Sequence, residues 1–114
     1  MIIYNVTTTL HESIHDTWLL WMTKTHIPEV LATGKFTAAK LVRVLVEESE
    51  GKTYAVQFTT NSRETLQQYY AEDAPRLREE SKKLFGDMAL SFRTELEVIS
   101  DHQDLKSVNP SNLN

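Results

Sequence analysis

The chain has 114 residues, 40% of them hydrophobic and 25% charged, with a net charge of −4 and no cysteine. This is the profile of one compact globular domain, and it excludes disulfides, thiolate nucleophiles and cysteine-held metals. The acidic balance, with a pI near 5.5, also argues against nucleic acid, which needs a positive footprint.

In chain order, "MIIYNVTTTL" opens the sequence without the basic segment or small-residue cleavage site of a signal peptide. No run approaches the roughly 20 apolar residues of a membrane span, so a cytoplasmic location is expected. Residues 2–7 predict strand one, and about 11–26 predict a helix broken near Pro28, because the residue before a proline disfavours helical angles. The short turn "PEVLAT" then stops at Gly34, a suitable C-terminal cap. Residues 36–48 predict strand two, "EGK" (50–52) a hairpin turn, and 53–60 strand three.

Asn61, with Glu64 three residues on, predicts the start of the second helix through a capping box. Asp73 recaps it after "EDAP", and the apolar stripe runs on to Gly86. Within this stretch Arg76, Arg78, Lys82 and Lys83 alternate with Glu72, Asp73, Glu79 and Glu80, which reads as a solvated helix face. Residues 90–99 predict strand four. Residues 1–100 thus make a single β-α-β-β-α-β domain, the ferredoxin-like split unit of the α+β class, followed by a polar tail, 101–114, expected to be flexible.

Side chains alternate along strands, so the two faces of the sheet can be compared. Positions 2, 4, 6; 40, 42, 44, 46; 54, 56, 58; and 92, 94, 96, 98 are apolar or tyrosine except for Lys40 and Thr94. That face is expected to lie under the helices. The reverse set mixes Ile3, Ala39, Leu41, Leu45, Ala55 and Ile99 with Asn5, Arg43, Gln57, Arg93 and Glu95. A mixed face fits a sheet covered by a second copy, so a homodimer through the sheet is expected; an open face with scattered apolar residues is the alternative.

Projected at about 100° per residue, the first helix gathers Leu10, Ile14, Trp18, Trp21 and Met22 on one side. Both tryptophans then point toward the sheet, either as core or as the wall of a cleft. His11 and His15 are spaced i, i+4, as two metal ligands are, but nothing nearby completes a motif and no metal is expected. His26 falls at the predicted helix end, where it would bond freed carbonyls or serve as an acid, base or ligand anchor. Tyr54 and Tyr69 join Trp18 and Trp21 as candidate walls for a flat organic ligand, and equally as ordinary core. The chain shows no serine-histidine-aspartate spacing, paired-carboxylate signature or glycine-rich phosphate loop, and no cofactor is assigned.

The segments "MIIYNVT", "WLLWMTKTHIPEVLATGKF" and "YYAEDAPRLREE" resemble a bacterial domain-of-unknown-function family over about residues 1–100. The resemblance implies a dimeric α/β barrel, a superfamily that includes antibiotic-biosynthesis and haem-degrading monooxygenases, muconolactone isomerases and stress-responsive barrel proteins. Its haem-degrading members use an asparagine on strand one with a tryptophan and a histidine. Asn5 matches the first, whereas the histidine expected on the second helix has no counterpart here. Two functions follow. One is a homodimer that binds a small aromatic or apolar molecule, monooxygenase- or isomerase-like, with Asn5 and His26 as catalytic candidates. The other is a non-catalytic interaction or stress-related dimer.

Overall fold

A computed structural model describes residues 1–47 and 51–105. The chain runs β1 (Ile2–His11), α1 (His15–Trp21), a π-helical turn (Met22–His26), α2 (Ile27–Ala32), β2 (Ala38–Arg43), β3 (Gly51–Thr60), α3 (Arg63–Glu72), α4 (Ala74–Phe85) and β4 (Ala89–Glu97). The strands form one antiparallel sheet in the order β2-β3-β1-β4. This is the ferredoxin-like α+β arrangement, with β1 and β3 central and β2 and β4 at the edges. The residues expected to turn the hairpin straddle the boundary of description: Gly51 and Lys52 belong to β3, while Glu50 lies outside the described residues, as does the tail from residue 106.

The helix layer covers the central strands on one face of the sheet. Trp18, Val30, Leu66 and Leu77 are each about 1% exposed or less, and they meet Leu10, Tyr4, Val56 and Phe58 of the central strands. Tyr4 is the hub of an aromatic cluster, with ring centroids 6.1 Å from Phe36, 6.2 Å from Phe58 and 5.7 Å from Tyr69. Such offset and tilted pairs add to the free energy of area burial.

Three local expectations are corrected. The first helix does not break at Pro28: the chain stays helical from His15 to Ala32. It does so by widening, the Ile27 N–H reaching back five residues to the Met22 carbonyl. A proline in a regular helix lacks one N–H and strikes the carbonyl four residues earlier, and a π turn just ahead relieves this. Second, the cap of α3 is Ser62, whose Oγ accepts from the Thr65 N–H at 3.1 Å, and not Asn61. Third, Asp73 stands between α3 and α4 but does not cap with its side chain. Its carboxylate accepts a 2.7 Å hydrogen bond from Lys35 Nζ, which also meets Glu72 at 2.9 Å.

The face assignment holds for β1 and β3 and fails for both edge strands. Tyr4 lies opposite Phe58 on one side and Glu95 on the other, and Phe58 lies opposite Ala39. The helix-facing rows are therefore Ala39, Leu41 and Arg43 on β2, and Ala89, Ser91, Arg93, Glu95 and Glu97 on β4. The outer face carries Ala38, Lys40 and Val42 on β2, and Leu90, Phe92, Thr94 and Leu96 on β4. Leu90 and Phe92 are each 63% exposed. Counting apolar positions finds the helix-facing side only on the two central strands. On edge strands, water reaches the helix side past the end of the helix layer, so charge is tolerated there.

Candidate functional site

A cleft of about 280 Å³ opens between the helix layer and the β1–β4 half of the sheet. Its floor is Tyr4, Val6 and Phe58; its wall is Trp18, Met22 and His26; and Arg78, Lys82, Asp87 and Arg93 bring charge to it. Tyr69 also lines it.

The π turn shapes the wall. A five-residue interval brings Trp21 and His26 to the same side of the helix, and their rings stack at 4.5 Å with a 25° interplanar angle. Phe85, the last residue of α4, packs edge-on behind Trp21 at 5.3 Å. His26 Nδ1 is buried and has no hydrogen-bond partner among the described residues. Because the helix continues past it, His26 does not close a helix end. Burial lowers its pKa from 6.5 to about 4; Glu80 opposes the shift and Arg93 adds to it. The ring is therefore neutral near pH 7, stacked, and holds an unused polar atom.

The floor carries a second unusual arrangement. The Tyr4 hydroxyl accepts a 3.1 Å hydrogen bond from Arg78 Nη2 and a 3.0 Å bond from Arg93 Nε. Arg78 also lies over the Tyr70 ring, 5.8 Å from its centroid. The Tyr70 hydroxyl donates to Glu95 at 2.7 Å, and burial together with that bond raises its pKa. Burial likewise raises that of Tyr69. Also on the lining, the Thr8 and Ser91 hydroxyls are 2.7 Å apart.

Of the residues singled out from sequence, Trp18, His26 and Tyr69 meet in the cleft. Trp21 supports His26 from behind and does not line it. Tyr54 does not line the cleft; its ring is 5.7 Å from Trp18 and its hydroxyl 2.7 Å from His15 Nε2. Asn5 is on the outer face, opposite Gln57 and Thr94, and donates to Thr7 Oγ1 at 3.1 Å. It does not reach the cleft, so the asparagine–tryptophan–histidine grouping implied by the haem-degrading resemblance is not assembled. His11 accepts from the Ser13 N–H, and His15 turns to Tyr54 and to Asp16, at 2.9 Å. No group of three or more metal-ligating side chains occurs among the described residues.

Arg78 and Arg93 are the site residues that sequence reasoning missed. Arg78 is exposed, as a solvated helix face requires, and what the sequence does not show is its reach to the Tyr4 hydroxyl. The one available signal was the alternation in "LSFRTELE", which gives the charged residues a parity opposite to the apolar ones.

Sheet order, helix layer and cleft together define a ferredoxin-like α+β protein with a ligand-sized space under its helices. The chain belongs to the family described as Domain of unknown function (DUF4286), which matches residues 1–99. No curated protein matches it by sequence. Among solved structures it is similar to a dimeric ferredoxin-like protein from an uncultured marine organism, at 13% identity, a TM-score of 0.67, and coverage of 89% of this chain and 97% of that one. It is also similar to a candidate antibiotic-biosynthesis monooxygenase from Bacillus cereus, at 15% identity, a TM-score of 0.60 and coverage of 90% and 97%. A third is an arginine-to-serine mutant of MhuD with two manganese protoporphyrin IX bound per active site, at 17% identity, a TM-score of 0.58 and coverage of 90% and 99%. At these identities the likeness is one of fold. No helix among the described residues is long and apolar enough to cross a membrane.

Proposed function

We propose that this protein is a homodimer that holds a small, flat, largely apolar molecule in the cleft between helices and sheet. The observation that carries the reading is the cleft itself: an aromatic floor and wall of ligand size around a half-buried imidazole whose buried Nδ1 has no partner among the described residues. Neutral His26 offers a hydrogen-bond acceptor, or a base for an acidic hydroxyl or activated C–H, without a charge to desolvate. That chemistry suits a monooxygenase- or isomerase-like step on a ligand able to lose a proton.

The outer face of the sheet supports the dimer. Of its fifteen strand positions on the described ladder, from Ile3 to Thr9, Ala38 to Val42, Thr53 to Thr59 and Leu90 to Leu96, Lys40 alone is charged. A quarter of the whole chain is charged. A row of Leu90, Phe92 and Leu96 beside Ile3 is the composition of a covered face, and a second copy presents the matching surface under two-fold symmetry. The same face favours a second reading, in which dimerisation is the whole function and the cleft is unused.

Tryptophan fluorescence separates the two, because Trp18 lines the cleft and Trp21 stacks on His26. Titration with quinones, polyphenols and haem should quench the emission saturably with at least one class. An unaltered spectrum across the panel favours the second reading.

A further inference from the structure

We propose that the molecule held in the cleft is an aromatic carboxylate, its carboxylate bridging Arg78 and Arg93 beside the Tyr4 hydroxyl and its ring among Trp18, Val56 and Phe58. This rests on the cleft reading above and gives the ligand a chemical class.

The two arginines converge on one neutral oxygen, at 3.1 and 3.0 Å. Two guanidinium groups, both reaching solvent, are thereby held within about two hydrogen-bond lengths of each other, close enough for one anion to meet both. Neither has a carboxylate within ion-pair distance among the described residues, whereas Arg63 meets Glu95 at 3.5 Å and Arg76 meets Glu29 and Glu80 at 3.8 and 3.7 Å. The chain pairs its arginines with acids elsewhere and leaves these two on a phenol. Each guanidinium has five N–H donors, so one hydrogen bond to Tyr4 leaves most of them free.

The charge sign points the same way. Arg78, Lys82 and Arg93 line the cleft against Asp87, an excess of positive charge on a chain whose net charge is −4. A carboxylate is the anion whose planar pair of oxygens matches two guanidinium forks. The remaining lining is apolar and aromatic, and about 280 Å³ is at the lower limit for drug-sized ligands, so one or two fused rings fill it.

Calorimetric titration of the full chain with benzoate, 2-naphthoate and their neutral methyl esters tests this. At least one of the acids is expected to bind ten or more times more tightly than its ester, and its affinity should fall as salt rises while that of the ester does not. Arg78→Met and Arg93→Met should each weaken carboxylate binding at least tenfold and leave the ester unchanged. The salt comparison on the wild-type chain stands even if a variant fails to fold. Acid and ester binding equally well, with no salt dependence, overturns the carboxylate assignment and leaves the cleft reading in place. No binding by any of the four overturns both.

Discussion

The two faces of the sheet are built from the same four strands and solve opposite problems. Under the helices, the central strands supply Tyr4, Val56 and Phe58 to an aromatic core, and most of the charge enters on the edge strands, as Arg43, Arg93, Glu95 and Glu97, with Lys52 at the start of β3. On the other face the central strands show Asn5, Thr7, Gln57 and Thr59, while edge strand β4 shows Leu90, Phe92 and Leu96. The polarity of β4 is thus inverted with respect to β1 beside it. A cleft needs polar groups at its margin, and an outer face covered by the proposed second copy needs apolar ones at the same strand. One alternating strand meets both needs, because its side chains point to opposite faces.

The comparison is broken most strongly from the inner side. Trp18 is 1% exposed and contacts both the cleft and Tyr54. Trp18→Ala should cost about 3–5 kcal/mol in chemical denaturation, from lost burial plus the cavity left behind. A cost below about 2 kcal/mol would mean that the helix layer collapses onto the sheet and the cleft has no fixed wall.

The next effect is pH-dependent. Unfolded His26 takes up a proton near 6.5, whereas in the folded chain burial delays this to about 4, with Glu80 of α4 opposing and Arg93 of β4 assisting. Between these values the unfolded state binds more protons, so stability falls as pH drops from 6.5 toward 4, by about 3 kcal/mol at most. The difference between wild type and His26→Gln over that window isolates the contribution, since the other titrating groups are common to both. Parallel stability curves would show that the imidazole is hydrated and not sealed against Trp21.

The outer face answers to association. Phe92→Arg places a charge in the middle of the apolar row and should weaken the dimer by about 2 kcal/mol or more. Sedimentation should then show the 13.1 kDa chain at concentrations where the wild type is twice that mass, with the melting of the monomer little changed. A wild-type chain that is already monomeric at micromolar concentration removes the reason for the inverted polarity of β4.

Much of the fold is legible in the residues. The succession of strands and helices and the stop at Gly86 follow from periodicity and turn residues, and Trp18, His26 and Tyr69 could be named as bulky aromatics and a histidine on the predicted inner sides of the two helical regions. What was hidden had a common cause. The apolar residues of "LSFRTELE" look like the inner side of a sheet, and only the ladder with β1 shows that Phe92 faces out and Arg93 in. Pro28 reads as a break because the sequence does not disclose that the preceding turn can widen. Arg78 is solvated as its sequence neighbours suggest, but its partner, the Tyr4 hydroxyl, is 74 residues away and gives no local sign. Long-range register, rather than local propensity, carried the missing information.

The smallest effect bears on what sets that register. Gly86 ends α4 with φ 54° and ψ −134° and turns the chain toward β4. An added Cβ would meet nothing within 4 Å, so the cost of Gly86→Ala is conformational alone, about 1–2 kcal/mol. The variant should keep its dimer, since the ladder to β1 spans Ala89 to Glu97. Unchanged stability would mean that the chain leaves α4 by other dihedrals at no loss, and the sorting of Phe92 from Arg93 would then depend on pairing with β1 alone. A measurable cost with the dimer intact assigns the turn a share in aiming β4, a one-residue choice that decides which face receives the arginine and which the phenylalanine.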